Sequence, residues 1–318
     1  MVAINRGYTT DPVLTAHVQA FRNPRYIFEQ VFPVVTVEAQ AATFHAWLKG
    51  AWFRDEAQPR PPGAMAARGD VRKEARTYNC TNKAFGHAVP DEIRRRDGDA
   101  MSELIASQHV ANAVMLNKER QVAAEVLTAA NWTSSEDVAG GWASDASPST
   151  FFIDVETAMD TIELRCGYRP NVLMVDSQTL FHLRQTPAIY DRIQFATVTN
   201  QPRLVTPMLL AASLGLDEVV VGGSIHSTAA EKADGTDFTA ARIWQLNAGK
   251  GSAFLFYRSP SPNLEMPSAG YLLQYEQVDA YQYREDSRHQ DVVEASANYN
   301  AYPLAADMGH LFTDTILT

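Results

Sequence analysis

The sequence predicts an α+β protein of two layers, and three observations carry that prediction. Residues 99–130, DAMSELIASQHVANAVMLNKERQVAAEVLTAA, hold no Pro or Gly and read as a single long helix. Residues 149–269 alternate helical and strand patterns, as a compact α/β unit does. From Gly270 the apolar period changes to two, which gives a β-hairpin. The α/β unit is therefore inserted into a layer made by the long helix and the hairpin.

Residues 1–43 form a thin lead-in. Phe21, Tyr26, Ile27, Phe28, Val31 and Phe32 crowd a segment that Pro24 and Pro33 cut short, so its apolar surface needs a cover, from its own body or from a neighbour. Residues 44–80 read as two extended arms joined by an irregular turn through Pro59, Pro61, Pro62, Gly63 and Gly69. Between Lys49 and Arg76 the basic residues exceed the acidic ones by three, in a chain whose net charge is −10. A long loop opposite in sign to its body suits contact with another copy, while a solvated surface hairpin or a disordered insert remains the alternative.

Residues 81–148 contain the long helix. Leu104, Ala111, Met115, Val122 and Val126 recur at seven and four, which predicts a narrow apolar stripe interrupted by Gln108, Lys118 and Glu119. Asp99 is placed to cap the first turn after Gly98, and the helix would run roughly 45 Å. Such a helix fits a spine better than the middle of a core.

Within 149–269, Val155, Ala158, Met159 and Ile162 mark a helix that Gly167 and Pro170 stop. Asn171–Val175 is a buried-type strand, and Asp176 caps the helix holding Leu180, Phe181 and Leu183. Thr206-Pro207 opens the helix that Gly215 closes, and Glu218–Val221 is a second buried strand. ARIWQLN and GSAFLFY are expected to pair around Gly249–Gly251. After the hairpin, in which Tyr271, Leu273, Tyr275, Tyr281 and Tyr283 share a face, AYPLAADMGHLFTDTIL carries enough apolar residues to dock.

Composition narrows the function classes. With 46% hydrophobic and 20% charged residues the chain is an ordinary folded one, and its acidic balance argues against bulk nucleic-acid binding. Cys80 and Cys166 lie far apart and read as buried thiols. No signal-peptide run and no apolar stretch of 18 residues is present, so neither secretion by a leader nor a membrane span is expected. Asn79-Cys80-Thr81 and Asn131-Trp132-Thr133 then match the glycosylation pattern by chance.

The search for site chemistry returns near misses. The eight histidines never pair at i,i+3 or i,i+4, although a ligand set assembled from distant residues stays open. Gly222-Gly223-Ser224-Ile225-His226 follows a strand as a nucleophile elbow would, without a clear helix after it. Gly249-Lys250-Gly251-Ser252 lacks the earlier glycine of a phosphate loop and reads as a turn. Arg94, Arg95 and Arg96 are expected to be solvated or ion-paired. No catalytic, cofactor-binding or metal-binding residue is assigned.

The order of the pieces, and three local stretches, carry a family resemblance. NPRYIFEQVFPVV looks like an N-terminal arm, and KAFGHAVPDEI like the exit of an extended loop into a spine helix. GGWASDASPSTFFIDVETAMDTIELRCGYRPNVLMVDSQTLFHLRQTPAIYDRI is similar to the opening of an axial domain. Together they resemble the major capsid proteins of tailed bacteriophages, with the Hong Kong 97-type shell fold.

That resemblance implies an N-terminal arm at 1–43, an extended loop at 44–80 and a peripheral domain with its spine helix at 81–148. It further implies an axial domain at 149–269 and a return to the peripheral domain at 270–318. The implied role is a self-assembling structural subunit of pentamers and hexamers in an icosahedral head, located in the virion and assembled in the host cytoplasm. Implied partners are other copies, a portal, a separate scaffolding protein and room for a decoration protein, around double-stranded DNA held without sequence recognition. Some relatives cross-link a loop lysine; Lys49 and Lys73 are the loop lysines here, with no partner identified. A bacterial nanocompartment shell of the same fold and a soluble α/β hydrolase-like enzyme are the alternative readings.

Overall fold

The computed structural model describes residues 9–10, 14–16, 18, 23–47, 53–57, 59–66, 68–69, 73–97, 99–143, 149–189, 192, 205–230 and 238–316. The closing hairpin forms as the period-two pattern requires. β12 (Gly270–Glu285) and β13 (Gln290–Pro303) run antiparallel, and the chain reverses through residues 286–289. Two register irregularities, between Gln274 and Glu276 and between Glu276 and Asp279, break the alternation of the tyrosine face. β5 (Thr81–Pro90) pairs along the outside of β13, β1 (Thr9–Thr10) along β12, and β2 (Val34–Thr36) runs parallel to the first part of β12.

Across β13 and β5 lies α3 (Asp99–Leu127), preceded by α2 (Asp91–Asp97). The helix ends at Leu127, short of the predicted residue 130. Thr128 leaves the helical region, and side chains just beyond it take up the orphan carbonyls: Thr128 Oγ1 donates to Ala124, Asn131 Nδ2 to Glu125 and Trp132 Nε1 to Val126. Gly98, with the swing it was expected to permit, lies outside the described residues, as do the side-chain surroundings of Asp99.

The buried face of α3 also differs from the predicted stripe. Ala106, Val110, Ala111, Val114, Lys118, Glu119, Val122, Ala123, Val126 and Leu127 are buried, whereas Leu104 is exposed. Lys118 and Glu119, expected to interrupt the stripe, belong to the face because polar partners wait opposite them. Lys118 donates to Gln274 Oε1 at 3.1 Å and its ammonium stands 5.1 Å from the centre of the Tyr299 ring. The helix is a core element on this side.

The second layer is a five-stranded sheet ordered β6 (Ser134–Asp137), β14 (Gly309–Thr313), β11 (Ser252–Phe256), β7 (Val172–Asp176) and β8 (Glu218–Gly222). Its helices obey their local signals. α4 (Phe151–Cys166) buries Val155, Ala158, Met159 and Ile162 and ends at Gly167, whose φ of 73° suits a residue without a Cβ. α5 (Ser177–Gln185) is capped by the Asp176 carboxylate, which accepts from Gln178 N, and α6 (Pro207–Leu214) by Thr206 Oγ1, which accepts from Leu209 N. β6 and β14 come from outside residues 149–269, so this sheet does not respect the expected boundaries.

One strand pairing is corrected. The ARIWQLN stretch contributes β10 (Ala240–Arg242), which pairs with β9 (Ile225–Ser227) and not with β11. Fully buried β11 sits instead between β14 and β7, where all five of its side chains find cover. Trp244, also buried, packs against Gly222, where an added Cβ would lie 2.6 Å from the indole.

Candidate functional site

The lead-in and the long loop are the two segments whose sequence asked for a cover. In the first, α1 (Phe28–Val31) ends just before the predicted break at Pro33, and Ile27, Phe28, Val31, Phe32, Val35 and Val37 are all buried. The cover is the chain's own body. Phe32 stacks close above Gly270, where an added Cβ would lie 2.4 Å from the ring.

Glu119 fixes this lead-in chemically. Its buried carboxylate accepts from Phe28 N at 2.8 Å, Ile27 N at 3.0 Å, Ser224 Oγ at 2.8 Å and Trp244 Nε1 at 2.6 Å. Burial pushes the carboxyl above its ordinary range, and these four donors pull it back. One side chain therefore joins the lead-in, the long helix and the segment around β9 and β10. Beside it, a cleft of about 570 Å³ between lead-in, helix and β12 is lined by Phe28, Val34, Val114, Lys118 and Gln274.

The loop behaves differently. β3 (Ala41–Trp47) and β4 (Lys73–Asn79) pair as an antiparallel hairpin whose base is anchored on a small second core of Val35, Val37, Tyr78, Tyr271, Leu273 and Leu304. Phe44 packs edge-on to Tyr302, and Arg76 donates to the Leu304 carbonyl at 2.5 Å. Beyond that base, every described residue from 53 to 69 is exposed, with Met65 at 85% and Phe53 at 64%. The Phe53 ring does approach Gly167, at the end of α4, close enough that an added Cβ would meet it at 2.8 Å. Further apolar side chains project from the second layer, among them Leu164 at 81% and Met208 at 83% exposed.

The chemical near misses resolve into structural roles. Ser224 is 2% exposed and spends its hydroxyl on Glu119, and no hydrogen bond among the described residues joins it to His226. Lys250 Nζ pairs with Asp314 at 2.8 Å, and Ser252 Oγ accepts from Leu246 N, which makes the glycine-flanked stretch a turn. Arg94 is ion-paired with Asp291 and lies 3.7 Å from Glu103. Cys80 and Cys166 are buried thiols that are not joined in a disulfide. Lys73 opens β4, while Lys49 lies outside the described residues.

Among the described residues no group of three His, Cys, Asp or Glu could hold a metal, and no helix is long and apolar enough to cross a membrane. No local pattern marks the Glu119 junction. Its partners lie 91 to 125 residues away, and a lone Glu on a helix usually faces water.

A long helix laid on a hairpin sheet, a second sheet with its own helices and a projecting β-arm define the fold of phage capsid proteins, the Hong Kong 97-type architecture. A phage-related protein from Bordetella bronchiseptica has this fold, with a TM-score of 0.76, 24% identity and coverage of 98% of this chain and 99% of that one. The capsid of cyanophage P-SCSP1u matches with a TM-score of 0.61 and 14% identity, over 92% and 89% of the two chains. In sequence, the major capsid protein of Burkholderia phage BcepMu is 24% identical over 312 residues, covering 95% of each chain. No family model matches.

Proposed function

We propose that this chain is a major capsid protein, the structural subunit of a tailed-phage head. The observation that carries the reading is similarity along nearly the whole length of the chain to a phage major capsid protein, joined to the same fold as a phage capsid. A grafted catalytic site is not required for such work, and Ser224 is already committed to Glu119.

In this reading residues 1–43 are the N-terminal arm, 44–80 the extended loop, 81–148 and 270–318 the peripheral domain, and 149–269 the axial domain, whose sheet also takes in β6 and β14 from the flanking segments. The exposed hairpin tip, carrying Arg54, Arg60 and Arg68, lies over a neighbouring subunit whose surface is acidic. Pentamers and hexamers close into a shell in which each contact is weak alone and strong together. The head encloses double-stranded DNA without reading its sequence, joins a portal, and uses a separate scaffolding protein during assembly in the host cytoplasm.

Electron microscopy of the purified chain, alone and with its scaffold, tests this directly. Capsomers or closed shells are expected. A monodisperse monomer under both conditions overturns the reading.

A further inference from the structure

One pair of side chains has no part in the shell reading or in the packing of either core. His87 lies on β5, the edge strand of the first sheet, and His109 on the turn of α3 above it. Their Nδ1 atoms are 3.3 Å apart, and the rings cross nearly at right angles, at 82°, with centroids 5.1 Å apart. His109 is exposed and His87 half-buried, so solvent reaches the pair. The Phe85 ring stands edge-on to His109 at 5.3 Å and supports the pair from one side.

Two features set this pair apart from an ordinary histidine contact. The first is distance. Two nitrogens bound to one tetrahedral zinc at 2.0–2.1 Å are separated by about 3.3–3.4 Å. The observed 3.3 Å lies at the long end of hydrogen-bond distances and matches the separation that two nitrogen ligands of one ion require. The second is the company kept. Lys83, Phe85 and His87 alternate along one face of β5, opposite Ala297, Ala295 and Val293 of β13, so the facing strand brings no carboxylate to pair with an imidazolium.

We propose that His87 and His109 form a two-imidazole site for a divalent transition ion of the zinc, copper or nickel class. Imidazole suits these ions, whereas calcium and magnesium require oxygen donors. Among the described residues no third His, Cys, Asp or Glu joins the pair, so solvent fills the remaining positions and the ion stays exchangeable. The ion ties the edge strand that follows the loop to the first half of the long helix. The site depends on this geometry alone, and its fate is separate from that of the shell reading.

The test titrates the metal-free full-length chain with zinc chloride by calorimetry, alongside H87Q, H109Q and, as a control, H289Q. One equivalent of saturable zinc is expected in the wild type and in H289Q. Each of H87Q and H109Q is expected to lose at least tenfold in affinity while keeping the wild-type circular dichroism. X-ray absorption of the zinc-loaded chain is expected to show two imidazoles at about 2.0–2.1 Å. Zinc affinity unchanged in both variants, absence of saturable binding, or a sulfur-dominated absorption spectrum would each overturn the proposal. If either variant misfolds, the absorption spectrum of the wild type decides.

Discussion

The lead-in and the loop tip are both poorly self-sufficient segments by sequence, yet only one of them is completed within the chain. Ile27, Phe28, Val31, Phe32, Val35 and Val37 are buried against the chain's own helix and sheet, locked by two backbone amides on Glu119. Residues 53–69 leave their described side chains in solvent beyond a well-anchored base. The difference teaches that apolar content announces a need for cover but not who supplies it. A dense apolar run is completed early by the nearest core, whereas a charged, Pro-rich tip has too little apolar surface to be drawn in.

The sharpest way to break this comparison is E119A. The substitution leaves the Ile27 and Phe28 amides, the Ser224 hydroxyl and the Trp244 N–H without their acceptor, and a loss of about 3–5 kcal/mol in denaturant unfolding is expected. E119Q should lose less because it keeps an acceptor. Equal stability of E119A and wild type would mean that the lead-in is not held from this point.

A pH scan probes the body with both segments left intact. Burial, reinforced by Arg165, lowers the pKa of His310 on β14 to about 4. The unfolded chain takes up that proton near pH 6.5 and the folded chain does not, so stability falls as pH drops from 6.5 toward 4. The expected loss is about 3 kcal/mol over that window, and H310Q should flatten this part of the curve.

Next in size is G270A, which pushes a methyl into the Phe32 ring and should cost about 1–3 kcal/mol, partly recovered in combination with F32L. Full additivity of the two changes would argue against their contact. The smallest effect on stability belongs to the loop: replacing residues 55–69 by a short Gly-Ser linker should alter unfolding by no more than about 0.5 kcal/mol. The same deletion is expected to abolish shell formation in electron microscopy. Normal shells from the deleted chain would remove the loop from assembly.

Much of the fold was legible where the cause is local. Asp176, Thr206, Pro207, Gly167 and Gly215 punctuate helices through contacts within a few residues, and the structure places them in those roles. The end of α3 was misjudged because its terminal carbonyls are capped by Thr128, Asn131 and Trp132, none of them a glycine. Lys118 and Glu119 looked like interruptions because burial of a charge is decided by partners remote in sequence. The partner of β10 was misread for a related reason: β11 is so apolar that it occupies a central position, and a nearby turn cannot outweigh that. The pairing of His87 with His109 was illegible for want of any short spacing between them.

The place of β14 has a consequence for synthesis. This strand, drawn from residues 309–313, lies between β6 and β11 and not at an edge. While the chain is still being made, β6 and β11 each present an open row of amides and carbonyls that nothing upstream can fill. The second sheet therefore closes only after residues 309–313 have left the ribosome. Until then, the nascent chain is at its greatest risk of pairing with a neighbouring polypeptide.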